Sequence, residues 1–303
     1  MSGPNQNMPQ VKNPRNLRDH GGSAMLAKRT PDIVCIGAQK SGTSWLHEVL
    51  STRADIWVPP FKELHFFDHK FVEECRRWAP WHVKKGLKEA RTRYLSRVDT
   101  PDETYLEYLD RLSEKPILNG TWYKYVFSRA RDTQKCLDVT PEYSCIPEEG
   151  VDFFKRFLPN AKIIYIIRHP MERLKSQLRM TAHRRKTAPS TKAEWLDLLD
   201  LPALQSRGDY LNIVPRWDSR FSEDQLLYLP FGQISRDPLS ILRKVEKHCG
   251  LPPVDYRTAH QRVHQTKDLE LPDFVLQHLQ DMSAPQAEFI QDRFGREFHM
   301  STK

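Results

Sequence analysis

The 303 residues read as an α/β protein with a central parallel sheet flanked by helices. Three observations point there: short β-rich apolar runs alternate with helical stretches, loops carrying glycine or basic residues follow the runs, and no internal repeat interrupts the pattern. Asp32-Ile-Val-Cys-Ile-Gly37 is the first run, a buried strand ending in glycine. Gly42 to Ser51 follows it with Trp45, Leu46, Val49 and Leu50 at helical spacing. Lys162-Ile-Ile-Tyr-Ile-Ile167 is the strongest buried strand; His169-Pro170 ends it, and a helix is predicted from Met171 to about Thr181. Leu226-Leu-Tyr-Leu229 is a third strand. Pro238 to His248 reads as a helix closed by Gly250 and Pro252. The expected organisation is a flexible basic tail over residues 1–30 and one domain over 31–303.

Hydrophobic residues make up 39% and aromatic residues 10%, enough apolar surface for a real core, so wholesale disorder is excluded. Lys plus Arg outnumber Asp plus Glu by 47 to 39, a net +8 that calls for an anionic partner without naming one. The excess is local. Residues 1–30 carry a net +4, and the window Arg168–Lys186 a net +6. No run approaches the ~18 apolar residues of a membrane span, and the N-terminus has no apolar signal segment. Five scattered cysteines without a CxxC pair predict reduced thiols, a cytoplasmic location and no zinc site.

The sharpest local feature is Gly37-Ala-Gln-Lys-Ser-Gly-Thr-Ser44, between strand and helix. Glycine lets the backbone turn tightly, and the free N–H groups of the first helical turn then face an anion. The loop starts like the P-loop G-x-x-x-x-G-K-[ST], which predicts a P-loop-like nucleotide-binding architecture. Thr43 stands where that pattern has its lysine, and the lysine comes three positions earlier, at Lys40. A metal-bound triphosphate is therefore not required; a single 5′-phosphate held by Ser41, Thr43, Ser44 and the backbone fits, with Lys40 beside the transferred group. Arg168-His-Pro-Met-Glu-Arg-Leu-Lys-Ser176 is a second anion feature at a strand end, where Arg168 and Ser176 suit a terminal phosphate.

Two such features 128 residues apart, the first with a displaced lysine, resemble the sulfotransferase family that uses 3′-phosphoadenosine 5′-phosphosulfate (PAPS). Gln39-Lys-Ser-Gly-Thr-Ser-Trp-Leu46 is similar to the family's 5′-phosphosulfate loop, and Ile163 to Ser176 to its 3′-phosphate segment. Lys62-Glu-Leu-His-Phe-Phe-Asp68 resembles the K-E-x-H-F-F-D stretch of the glycosaminoglycan-type and bacterial branches. Leu137-Asp-Val-Thr-Pro-Glu-Tyr143 and Asp237 to Leu242 also have family counterparts, so the resemblance runs from about 31 to 298. It departs at Gln39, where Pro or Arg is frequent, and at His169, where Asp or Asn is frequent. The cysteine-bracketed C-terminal loop of the glycosaminoglycan enzymes is missing, with His260 to Lys267 in its place.

The resemblance implies transfer of the PAPS sulfonyl group to a hydroxyl, less readily an amine, with no metal required. It implies cofactor contacts from Lys40, Ser41, Gly42, Thr43, Ser44, Trp45, Arg168 and Ser176. Lys40 would stabilise the leaving phosphate oxygen. Glu63 is the base candidate and His65 its rival; on an extended stretch the two share a face by period two. Asp68 would orient His65 or hold the acceptor. Arg76 to Arg97 carries eight basic residues against Glu89, with Trp78 and Trp81 interleaved, which suits an acidic or sugar-like acceptor. Trp81 is the acceptor-side candidate there, and Lys124, with Tyr123 and Tyr125, is a further one later in the chain. The competing readings are an ATP-dependent P-loop kinase, and a basic nucleic-acid-binding protein for which no recognisable module is present.

Overall fold

Parallel strands buried on both faces need apolar side chains at every position, and the two central runs supply them. In the computed structural model, which describes residues 29–185, 188–261, 263 and 268–303, five strands form one parallel sheet. They are β1 (Ile33–Gly37), β2 (Ile56–Trp57), β3 (Lys135–Val139), β4 (Lys162–Ile167) and β5 (Leu226–Pro230), in the order β2-β3-β1-β4-β5. Residues alternate between two cores. Val34, Ile36, Ile163, Tyr165 and Ile167 face one layer of helices, while Ile33, Cys35, Leu137, Ile164 and Ile166 face the other. A third cluster joins Leu174, Leu178 and Trp195 to Val275 and Leu279.

The α-helices between residues 43 and 184 are α1 (Thr43–Ser51), α2 (Phe66–Phe71), α3 (Glu73–Leu95), α4 (Glu103–Ser113), α5 (Gly120–Val126), α6 (Glu148–Phe157) and α7 (Pro170–Arg184). The strand order places β1 and β4 side by side, with Ile33 opposite Lys162 and Gly37 opposite Tyr165. Strands to one side of β1 belong to the earlier crossovers, and strands to the other side to the later ones. The carboxyl ends of β1 and β4 therefore open onto the crevice where ligands of such sheets bind. The glycine-rich loop follows β1 and Arg168 follows β4, so both predicted anion features stand at that crevice.

The predicted strands and helices are present with small changes of bounds. The helix after β4 runs from Pro170 to Arg184, and the last predicted helix from Pro238 to Cys249 with Gly250 left-handed at its end. Residues 1–28 of the tail expected over 1–30, and most of His260–Lys267, lie outside the described residues. No described helix is long and apolar enough to cross a membrane.

Candidate active site

The first wall comes from the sheet. Gly42 adopts φ 87° as the residue before α1. A Cβ there would meet Ile234 Cδ1 at 2.9 Å, so glycine serves both the turn and the packing. Lys40 is also left-handed, at φ 68°. Its carbonyl accepts a hydrogen bond of 2.9 Å from Arg168 Nη1, which ties the loop after β1 to the end of β4. The guanidinium of Arg168 lies 4.5 Å from the centroid of the Phe231 ring, and its Nε is buried without a partner among the described residues. Burial, then Arg168 and Arg184, lower the Lys40 pKa from its ordinary value, while Glu63 works the other way.

The second wall comes from residues 61–68 and α3. Glu63 and His65 both have positive φ, 68° and 53°. Two left-handed residues in three bend this stretch into a tight turn, so the extended conformation in which the two side chains would share a face is not the one adopted. The turn hangs on the end of β3. Leu64 N donates to Thr140 Oγ1 at 3.0 Å and Phe66 N to Tyr143 Oη at 3.1 Å. Thr140 and Tyr143 donate in turn to the buried carboxylate of Asp138, joined there by Tyr123 Oη at 2.8 Å. Helix α3 presses on the same turn. A Cβ on Gly86 would stand 2.7 Å from the Phe61 ring, so the missing side chain sets how closely the helix approaches.

The result is a charged knot. Lys62 Nζ lies 2.7 Å from Glu63 Oε1 and 3.4 Å from Thr43 Oγ1. Glu63 Oε2 lies 3.8 Å from His65 Nε2, and His65 Nδ1 lies 2.8 Å from Asp68 Oδ2. Burial would raise the Glu63 pKa, but Lys62 and His65 outweigh it and hold the carboxyl down to about 2. For His65 burial favours the neutral ring, yet Asp68 prevails and its pKa rises to about 9. Glu142 is buried behind them and its pKa is raised by desolvation and by the charge of Glu63. Gln39 Nε2 donates to Glu142 Oε1 at 3.0 Å, and Arg207 Nη2 approaches the same oxygen at 3.6 Å.

Of these groups Gln39, Lys62, Glu63, Glu142 and Arg207 line a cleft of about 1440 Å³. Gln39 and Ser44 of the loop, Glu63 of the turn, Trp78, Trp81 and His82 of α3, and Leu178 and Thr181 of α7 line it. His47 also lines the cleft, and burial lowers its pKa to about 4.

A model described as the sulfotransferase family matches residues 31–255, most of the chain. This chain belongs to the sulfotransferase family. A search of curated proteins finds no match. Among solved structures it is similar to a sulfotransferase from Alicyclobacillus acidocaldarius, with 21% identity and a TM-score of 0.61 over 91% of this chain and 100% of that one. It is also similar to the sulfotransferase domain of the Synechococcus PCC 7002 olefin synthase, with 14% identity and a TM-score of 0.55 over 89% and 96% of the two chains. Those likenesses show the fold. The family membership displaces the kinase and nucleic-acid readings, while the glycosaminoglycan branch is not distinguished.

Within this sulfotransferase the predicted residues separate into groups. Lys40 to Ser44 form one loop, with Arg168 tethered to it, and Ser176 is buried two turns along α7. Glu63 and His65 meet, as the sequence suggested, though by a turn instead of a shared strand face. Asp68 is completely buried behind His65, so it orients the imidazole and is not open to an acceptor. Trp81 is 62% exposed on the cleft, with Lys85 Nζ 5.2 Å from its ring centroid. Other expectations are corrected as well. Trp45 is buried in the core with Nε1 donating to Ala259 O at 2.9 Å, which commits its indole to packing α1. Lys124 does not line the cleft; its ammonium sits 5.2 Å over the ring of Phe157. Tyr123 is consumed by Asp138, and Tyr125 lies under Arg111 at 5.1 Å.

Sequence reasoning missed Glu142, Arg207 and His82. Glu142 belongs to the quoted Leu137–Tyr143 segment, which carried no assigned role. His82 stands four residues after Trp78, so helical spacing from the tryptophans would have found it.

Proposed function

We propose that this enzyme moves the sulfonyl group of PAPS to a hydroxyl of an acceptor lying in the 1440 Å³ cleft. The observation that carries the reading is the meeting of loop and turn, where Lys62 Nζ, 2.7 Å from Glu63 Oε1, lies 3.4 Å from Thr43 Oγ1 of the loop suited to phosphate. The residues present suit the donor. Gly42 leaves its side-chain space to packing while exposing the N-terminus of α1, and Arg168 keeps a buried, unpartnered Nε beside the loop. Ser41, Gly42, Thr43 and Ser44 would hold the 5′-phosphate, and Arg168 with Ser176 the 3′-phosphate. PAPS supplies a sulfur centre with a good leaving group.

Lys40 stabilises the negative charge that collects on the departing 5′-phosphate oxygen as its bond to sulfur breaks. Glu63 takes the proton of the acceptor hydroxyl as the new sulfur–oxygen bond forms. Lys62 is the movable counter-ion in this scheme. Drawn toward Thr43 and the donor's anionic groups, it releases Glu63, whose basicity then rises. His65, fixed by Asp68, steadies the carboxylate from its other side. No step calls for a metal.

Trp78 and Trp81, with Lys85 and Arg93 on the same helix, favour an acceptor with a flat or sugar-like face and negative charge. The five cysteines are unpaired and four are buried, which suits a reducing compartment and hence the cytoplasm. The test is transfer of labelled sulfonyl from PAPS to a panel of acidic and neutral glycosides and phenols. Label should reach a hydroxyl acceptor with wild type and fail to with Lys40→Ala. Label transfer by Lys40→Ala at the wild-type rate would overturn the scheme.

A further inference from the structure

Glu63, His65 and His82 each offer a ligand atom, and these atoms all lie within 4.8 Å of one another. We infer that the three residues form a binding site for one divalent transition-metal ion of the zinc class, at the acceptor side of the cleft. The ligand nitrogens are already sorted. His65 Nδ1 donates to Asp68 Oδ2 at 2.8 Å, which commits Nδ1 and leaves Nε2 as the nitrogen that would take the ion, giving up its proton as the metal binds. That Nε2 is fully buried, has no partner among the described residues, and lies 3.8 Å from Glu63 Oε2. His82 Nε2 lies 3.1 Å from the carbonyl of Lys62. A carbonyl only accepts, so the proton sits on Nε2 and Nδ1 keeps its lone pair.

An imidazole whose second nitrogen is held by a carboxylate or a backbone carbonyl is the arrangement of metal-binding histidines, and both rings have it. Ligands about 2.0–2.1 Å from zinc in a tetrahedron stand about 3.4 Å apart, so the cluster closes on an ion with side-chain shifts of about 1 Å. The surroundings invite a cation. Asp68, Glu142 and Glu63 all direct their charge at the His65 ring. Lys62 opposes it, but Thr43 Oγ1, 3.4 Å from its ammonium, marks a second position for it. Two imidazoles and one carboxylate select zinc-class ions over magnesium, which prefers oxygen ligands.

Resting on the transfer reading above, the ion acts as a brake. It occupies the carboxylate that must accept the hydroxyl proton, so it is an inhibitor and not a cofactor.

The experiment is calorimetric titration of the full chain, free of donor, with ZnCl2 and separately MgCl2. Wild type should take up one tight zinc equivalent and no magnesium there. In His82→Ala that equivalent should weaken by at least ~10-fold. His82→Asn, checked by circular dichroism, replaces it if the alanine variant fails to fold. Cobalt(II) should give visible absorption in wild type that both variants lose. A zinc isotherm indifferent to His82, or no tight equivalent at all, overturns the site. Because binding is read without turnover, failure of the transfer reading leaves this outcome intact. Inhibition of transfer by zinc, reversed by chelator, then tests the brake separately.

Discussion

Lys40 and Glu63 come within electrostatic reach of each other by opposite routes. Lys40 stands on a loop that the sheet itself dictates: a buried strand, a glycine turn and a helix in 19 consecutive residues, 33 to 51. Glu63 stands on a turn with no regular structure of its own, held by Thr140 and Tyr143 from β3 and pressed by Gly86 from α3. One wall is local in sequence and rigid by topology. The other is assembled from segments nearly eighty residues apart, and its charges are set by one another. Damage to the first wall should therefore cost both nucleotide binding and transfer, while damage to the second should slow transfer and leave nucleotide binding intact.

The largest expected effect is on the local wall. Lys40→Ala should keep its far-ultraviolet circular dichroism and lose at least ~10³ in single-turnover transfer rate, since it removes the charge at the leaving oxygen. A loss under tenfold would mean that Lys40 only helps binding. On the assembled wall, Glu63→Gln should lower kcat by about 10²–10³ with little change in the affinity for 3′-phosphoadenosine 5′-phosphate. If His65→Ala costs more than Glu63→Gln in parallel assays, the imidazole is the base and the roles exchange.

That contrast also explains what could be read from the chain alone. The strand–glycine–helix unit, β4 and Arg168 were legible because periodicity and turn chemistry are local signals. The turn at Glu63 and His65 was not legible, because nothing nearby reveals that Thr140 and Tyr143 capture the N–H groups of Leu64 and Phe66. Glu142 and Arg207 meet Gln39 only through the fold. Trp45 and Lys124 looked available because their types suit ligands, yet each is committed elsewhere, to Ala259 and to Phe157.

Smaller effects sharpen the comparison further. Gly42→Ala should lower stability by about 1–3 kcal/mol, read from denaturant midpoints, because φ 87° strains any side chain and Ile234 blocks the Cβ. An unchanged midpoint would show that the loop relaxes freely. Asp138 anchors the second wall, and burial lifts its pKa to about 6. Its folded pKa exceeds the unfolded value, so this group's contribution is complete below about pH 4 and is lost as pH rises through 6. Relative to wild type, Asp138→Asn should gain about 2 kcal/mol in unfolding free energy between pH 4 and 7. A pH-independent difference would contradict that placement. Smallest of all, Trp81→Ala should raise the acceptor KM a few-fold and leave kcat and stability alone, since the side chain is 62% exposed on the cleft.

The central claim is that the sheet-built wall holds the nucleotide independently of the assembled wall. Calorimetric titration with 3′-phosphoadenosine 5′-phosphate and with ATP tests it most directly, using wild type, Glu63→Gln and Arg168→Ala. The account predicts tight binding of the bisphosphate to wild type and Glu63→Gln alike, a marked loss in Arg168→Ala, and no binding of ATP. Equal affinity for ATP, or collapse of bisphosphate binding in Glu63→Gln, would contradict it.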